Sequence, residues 1–293
     1  MSRHVAIATC QQLPDGDADD RVLARALAGL GIRTSLLPWT APGVDWAAFD
    51  ATVLRSTWDY PDRRAEFLAW TASVPRLHNP AEVVAGNSDK RYLAGLIEAG
   101  LPVVPTGFFA PGQQAQLPES GEYVLKPSVG AGSRGAGRFI AEQPDSAAAA
   151  TVHLRTLHEA GRTVLVQPYL AEVDVHGETA VIFIDGSYSH SARKAAMLRK
   201  RGSHPVQHAD DLYVAETITA TEPSGAELEL AGAVLAHLSA GLDQPLLYAR
   251  IDLLPSPHGP VLIEAELTEP SLFLSYHDGA AERLAAAIRD RTA

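Results

Sequence analysis

The residues best suited to chemistry lie near the C-terminus, where Asp252, Glu264 and Glu266 stand in otherwise apolar, strand-like runs. Glu264 and Glu266 are two apart, so on a strand they share a face, and like charges there are unfavourable unless a cation binds. Asp252, on a neighbouring run, completes a hard-oxygen set suited to Mg²⁺, which keeps several waters and bridges phosphates. A second feature is the run from Tyr123 to Ile140, in which Lys126 is followed by Gly130, Gly132, Ser133 and Gly135. The three glycines satisfy G-x-G-x-x-G, but a dinucleotide fold would start a helix next. Here the loop runs into strand-like Arg138-Phe139-Ile140. Strand–glycine loop–strand is the arrangement of a phosphate lid, with backbone N–H groups free to approach phosphate oxygens. Lys126, ending the strand that feeds this loop, is placed to meet phosphates as a compact cation. Lys90, opening a helix after Asp89, gains meaning as its partner. The bland alternatives are a surface hairpin for the loop and a half-buried strand with one wet face for the acids.

The 293 residues are enough to bury a sizeable core and to divide into two or three lobes. A net charge of -11, from 24 Lys+Arg against 35 Asp+Glu, argues against a general nucleic-acid binder, because no basic stripe exists to displace phosphate counterions. No apolar run approaches the roughly 18 residues needed to span a bilayer, and the first residues lead straight into a strand-like segment. Cys10 is the only cysteine, which rules out an internal disulfide, and a buried strand end is its expected place. The expectation is a cytoplasmic enzyme without nucleic-acid or membrane partners.

Elements must position these groups. Strands are expected at 4–9, 33–37 and 51–55 and helices at 19–30 and 63–73, an order that suggests a small open α/β sheet with binding loops at the strand ends. The loop Arg55-Ser56-Thr57-Trp58-Asp59-Tyr60-Pro61 follows such a strand. After a break around 75–80, a helix over 90–99 and strands at 107–110 and 123–127 are expected. The alanine run at 147–150 belongs to a helix reaching about 161. Beyond 164–168 the chain turns strand-rich, at 179–185, 187–193, 246–254 and 260–266, with helices near 226–242 and 279–291. The run Thr163 to Leu170 leads into a Pro-containing bend able to offer backbone groups to an adenine edge; a plain core strand is the alternative. Glu178 follows, suitably placed for ribose hydroxyls. His204 and His208 have i, i+4 spacing, but Gly202 and Pro205 argue against a helix, so zinc is not expected.

These parts, in this order, resemble the ATP-grasp superfamily, in which two α+β lobes hold ATP between them. The resemblance implies that Lys90 and Lys126 meet the nucleotide, that Gln167, Tyr169 and Leu170 form the adenine hinge and that Glu178 binds ribose. It also implies that Arg193 lies near the transferred phosphate and that Asp252, Glu264 and Glu266 are metal ligands. Many members end the metal set with asparagine; Glu266 departs from that and adds negative charge. The implied organisation is a pre-ATP-grasp α/β domain over 1–85, a central lobe with the lid over 86–165 and a C-terminal lobe with the metal site over 166–293. Within the superfamily, Arg55 to Tyr60, Asn87 to Lys90, Ser189 to Lys194 and Glu264 to Pro270 look like the glutathione-synthetase-like branch. The whole chain is similar to cyclo-ligases that close O-ureido-D-serine to D-cycloserine. That similarity implies a substrate carboxylate activated by ATP and Mg²⁺ as an acyl phosphate, with an intermolecular amino-acid or peptide ligase as the alternative. For the small amino-acid-like substrate, Arg55, Ser56, Asp59, His190, Glu269 and Ser271 are candidates, an arginine for the carboxylate and Asp59 or Glu269 for the ammonium. Trp58 and Tyr60 are expected to pack. A second copy of the chain, as a homodimer, is the one macromolecular partner considered.

Overall fold

A computed structural model describes residues 3–196, 198, 212 and 217–292. The apolar runs form three sheets. In the first, β1 (His4–Thr9), β2 (Arg33–Pro38), β3 (Ala51–Leu54) and β4 (Leu77–His78) are parallel in the order β2-β1-β3-β4. Helices α1 (Ala18–Gly29) and α2 (Arg64–Ser73) accompany them. β3 and all but the first residue of β1 are buried, as expected of parallel strands covered on both faces. Helix α1 starts where the Asp17 side chain accepts the Asp20 N–H and Asp20 answers by accepting that of Asp17. The stretch around 75–80, which reads as a break, contributes β4, two residues that are too short for any period to show.

Helix α3 (Ala81–Asn87) was not anticipated, and the helix expected over 90–99 is divided into a 3-10 turn, Lys90–Tyr92, and α4 (Leu93–Glu98). Gly100, at φ +76°, ends it by adopting the left-handed conformation. The middle sheet is antiparallel: β5 (Gly107–Phe109), β6 (Glu122–Pro127), β7 (Gly137–Ile140) and β8 (Val164–Pro168), ordered β5-β8-β6-β7, with α5 (Pro144–Glu159) packed on β7. β8 is an inner strand here, so a lobe boundary between 165 and 166 would cut through it.

Helix α6 (Val173–His176) leads into the last sheet, made of β9 (Glu178–Ile184), β10 (Ser187–Lys194), β11 (Ile218–Thr221), β12 (Tyr248–Leu254) and β13 (Val261–Glu266). Its order is β11-β10-β9-β12-β13, all antiparallel. Helix α7 (Gly225–Leu238), opened by a Ser224–Glu227 capping box, packs Leu230 and Val234 on Val181, Phe183, Ile251 and Leu253. The opposite face carries Ala180, Ile182 and Tyr248, in one core with Leu284 and Ile288 of α8 (Ala280–Arg291) and with Val5 and Ile7 of β1. Buried Asn79 ties first sheet to last, donating to the Tyr248 (2.9 Å) and Leu267 (2.8 Å) carbonyls and accepting the Leu247 N–H (2.8 Å). His204 and His208 lie outside the described residues. No helix among the described residues is long and apolar enough to cross a membrane.

Candidate active site

Strand register decides which side chains meet. Across the last sheet Lys194 pairs with Glu178, Ala180 with Asp252, Asp252 with Glu264, and Arg250 with Glu266. Residues paired this way, or two apart on one strand, share a face. Lys194, Glu178, Asp252, Arg250, Glu264 and Glu266 therefore emerge together, and all line one cleft of about 500 Å³. Arg193, one residue off, pairs with Thr179 and turns to the other face, 3.9 Å from Glu227 of α7. The arginine expected at the transferred phosphate is thus excluded from the cleft by parity. Lys194 and Arg250 supply cations there instead.

The acids do not stand bare. Lys194 contacts Glu178 and lies 2.8 Å from Asp252; Arg250 lies 2.8 Å from Asp252 and contacts Glu266; Lys90 lies 2.9 Å from Glu264. Burial opposes ionisation of Asp252, yet Arg250 and Lys194 hold its carboxyl below the usual range. Burial pushes the Glu266 carboxyl up in spite of Arg250, and does the same to Glu178 in spite of Lys194. As placed, no three His, Cys, Asp or Glu side chains among the described residues form a ready metal cage. The donor chemistry nevertheless fits a hard cation: three carboxylates on one face, each already holding a positive group.

The middle sheet closes the cleft from the other side. Lys126 on β6 makes no ion pair among the described residues, and burial lowers its pKa. Lys90 binds the Gly130 carbonyl at 2.8 Å, joining the lid to Glu264. Gly130, Gly132 and Ser133 line the cleft, with Ala131, Arg134 and Ala136. Gly135 does not; it has φ +74°, and a Cβ there would lie 3.3 Å from the Pro127 ring, so its part is to shape the loop. Gln167, Tyr169 and Leu170 line the cleft beside Leu254 and Ile263. The Gln167 amide donates to Thr106 Oγ1 (2.9 Å), and the Tyr169 hydroxyl to Asp174 (2.7 Å) under the Arg138 guanidinium.

The candidate substrate residues divide. Glu269 and Ser271 line the cleft. Burial pushes the Glu269 carboxyl up to about 8, with the nearby Glu266 adding to the effect and Tyr60 as hydrogen-bonding neighbour. Arg55 and Ser56 lie behind the wall: Arg55 is 1% exposed, 3.4 Å from Asp20 and over the Tyr248 ring, while Ser56 donates to Asp20 at 2.6 Å. Asp59 accepts the Trp39 indole N–H at 2.7 Å, and His190 bonds the Leu272 carbonyl at 2.7 Å. None of these four lines the cleft. Trp58 and Tyr60, expected only to pack, do line it, as do Asp17, Asp19, Phe273 and Tyr276. Asp19 accepts the Leu272 and Leu274 N–H groups, both at 2.9 Å, and so brackets Phe273 at φ +53° with its ring facing Arg250. Period-two alternation could have pointed to Arg250 from Asp252; no local pattern marks the loop residues.

A cleft between two antiparallel sheets, lidded by a glycine loop and floored by paired acids and cations, is the architecture of an ATP-grasp ligase, and the chain's relatives place it in that class. The fold is shared with an ATP-grasp RimK-domain protein from Sphaerobacter thermophilus, at 20% identity and TM-score 0.65 over 98% of each chain. The chain belongs to the DcsG family. It is 39% identical over 289 residues to the "Cycloserine biosynthesis protein DcsG" of Streptomyces lavendulae, covering 94% of both chains. Against a crystal structure of D-cycloserine synthetase DcsG it has a TM-score of 0.88 at 36% identity, over 99% of this chain and 100% of that one. Residues 5–79 match the family described as "D-cycloserine synthetase DcsG, N-terminal domain".

Proposed function

We propose that the protein uses ATP to close O-ureido-D-serine to D-cycloserine. The observation that carries this reading is the likeness, along nearly the whole chain, to a protein named for cycloserine biosynthesis. The cleft supports it chemically. A carboxylate oxygen of the substrate attacks the γ-phosphorus, the bond to the β–γ bridging oxygen breaks, and ADP leaves an acyl phosphate. The oxygen-bound ureido nitrogen then attacks the acyl carbon, phosphate departs and the five-membered ring closes. Water removes the carbamoyl group as CO₂ and ammonia.

Lys126, Lys90, Lys194 and Arg250 face the space where phosphate charge would gather and stabilise it by placed cations in a partly desolvated site. The last three already hold carboxylates, so phosphate binding is an exchange of partners. Asp252, Glu264 and Glu266 would hold Mg²⁺, which when bound supplies positive field to the phosphates. Gln167, Tyr169 and Leu170 flank the adenine, and Glu269, beside Tyr60 and Ser271, takes the ammonium. Attack within one molecule gains from proximity, so the protein's main tasks are to fold the substrate and exclude water.

The test is ATP-dependent turnover of O-ureido-D-serine beside its L-isomer and ordinary dipeptide-forming pairs, with products identified by mass. A product formed from one amino-acid substrate alone is expected, with ¹⁸O from the substrate carboxylate appearing in the released phosphate. A product joining two amino acids would replace this reading with an intermolecular ligase.

A further inference from the structure

The lid touches more than the nucleotide side of the cleft. Arg134, at its tip, lines the cleft and reaches the first lobe, where Nη2 donates to the Trp58 carbonyl at 3.1 Å and Nη1 lies 3.4 Å from the Asp62 carboxylate. Its Nε is buried with no hydrogen-bond partner among the described residues. Arg162, just before β8, grips the same segment, donating to the Pro61 carbonyl (2.7 Å) and to Asp62 (2.9 Å). The segment so held is the one that forms the substrate wall. The Trp58 indole donates to the Glu269 carbonyl at 3.0 Å, and Tyr60 neighbours the Glu269 carboxyl. A continuous set of contacts thus runs from lid to Arg134, to Trp58 and Tyr60, and to Glu269.

We infer that Arg134 is a positioning residue that docks the lid onto the Trp58–Asp62 segment, sealing the compartment in which the acyl phosphate waits for the ureido nitrogen. The inference rests on the proposed carboxylate activation. One feature selects arginine: its planar fork reaches a carbonyl and a carboxylate from two separate nitrogens, where lysine offers only one. The seal matters because the acyl phosphate has two fates. Attack by the ureido nitrogen releases phosphate and closes the ring. Attack by water on the acyl carbon releases the same phosphate but returns the original carboxylate, leaving only ATP hydrolysis.

The experiment measures ADP and D-cycloserine together, for the full-length wild type and for Arg134→Ala and Arg134→Lys, at saturating O-ureido-D-serine. Wild type is expected to give about one ADP per product. Both variants should form product roughly 10-fold to 100-fold more slowly and release several ADP per product, because misplacement of a positioning group costs about 10²-fold. The excess ADP should vanish when substrate is left out. A ratio of one in both variants, whatever their rates, would overturn the inference, because a merely structural arginine slows turnover without letting water in. Should the wild type itself release no ADP with this substrate, the proposed function fails, and that outcome is distinct from a coupled variant.

Discussion

The two walls of the cleft are built by different physics. One is made of antiparallel strands, where residues two apart share a face and a one-residue step reverses it. The other is made of loops leaving the C-terminal ends of the parallel strands β1 and β3, joined by the turn after β13. On the strand wall, a side chain's direction follows from parity and register. On the loop wall it follows from individual contacts, such as Asp19 bracketing Phe273 or Trp58 bonding the Glu269 carbonyl. Beside β1, the order β2-β1-β3 places this wall at a topological switch point, the usual site for ligands in open parallel sheets.

The sharpest break of the comparison is on the strand wall. Lys126→Ala should lower kcat roughly 10³-fold, the upper range for losing one placed charge-stabilising donor. Lys194→Ala should cost roughly 10²-fold on the same principle, while its neighbour Arg193→Ala should stay within about 3-fold, facing Glu227 across the sheet. Steady-state kinetics on folded variants checks all three. If Arg193→Ala proved the more damaging neighbour, parity would not govern this wall.

That contrast also explains what was legible. Asp252, Glu264 and Glu266 stood out as acids in apolar strands, and their shared face follows from spacing alone. Lys126 and the glycine lid were equally readable, because both are local to one hairpin. The choice between Arg193 and Lys194 was not, since it depends on pairing Lys194 with Glu178 across a turn and through a register shift between Tyr188 and His190. The loop wall was largely unreadable. Arg55 has the right chemistry for a carboxylate and the right place after a strand, but three acids from the start of α1 draw it inward. Burial there opposes its charge, and Asp20, Tyr248, Asp17 and Asp19 together still raise its pKa. Those acids are 35 to 38 positions away, and nothing in the local sequence announces them.

Arg55 therefore offers the next test. If it bound substrate, Arg55→Met would raise KM and leave stability nearly intact. As a buried counter-charge, its loss leaves Asp20 unpaired, which typically costs about 3–5 kcal/mol. The expected outcome is a large fall in unfolding free energy by urea titration, measured on the protein without substrate. A raised KM with unchanged stability would make Arg55 a recognition residue, as its type and its place after a strand suggest.

The smallest expected effect concerns His190, which supports the loop wall from beneath. Burial, opposed by the Leu272 carbonyl and helped by His277 and Arg283, holds its pKa down to about 4. An unfolded histidine titrates near 6.5, so below that pH the unfolded chain takes up a proton that the folded site refuses. The contribution is complete above pH 6.5 and is lost as pH falls toward 4, reaching about 2 kcal/mol at pH 5. Glutamine can still donate to the Leu272 carbonyl but does not titrate. His190→Gln should therefore be slightly less stable than wild type at pH 7.5, by no more than about 1 kcal/mol for one altered hydrogen bond. At pH 5 the difference should move in the variant's favour by about 2 kcal/mol, while half-buried His78 and buried His153 contribute equally to both proteins and cancel. Urea unfolding at the two pH values reads this directly. An unchanged gap would mean that His190 charges freely in the folded protein, and that the Ser271–Phe273 turn is held by Asp19 and Arg250 without it.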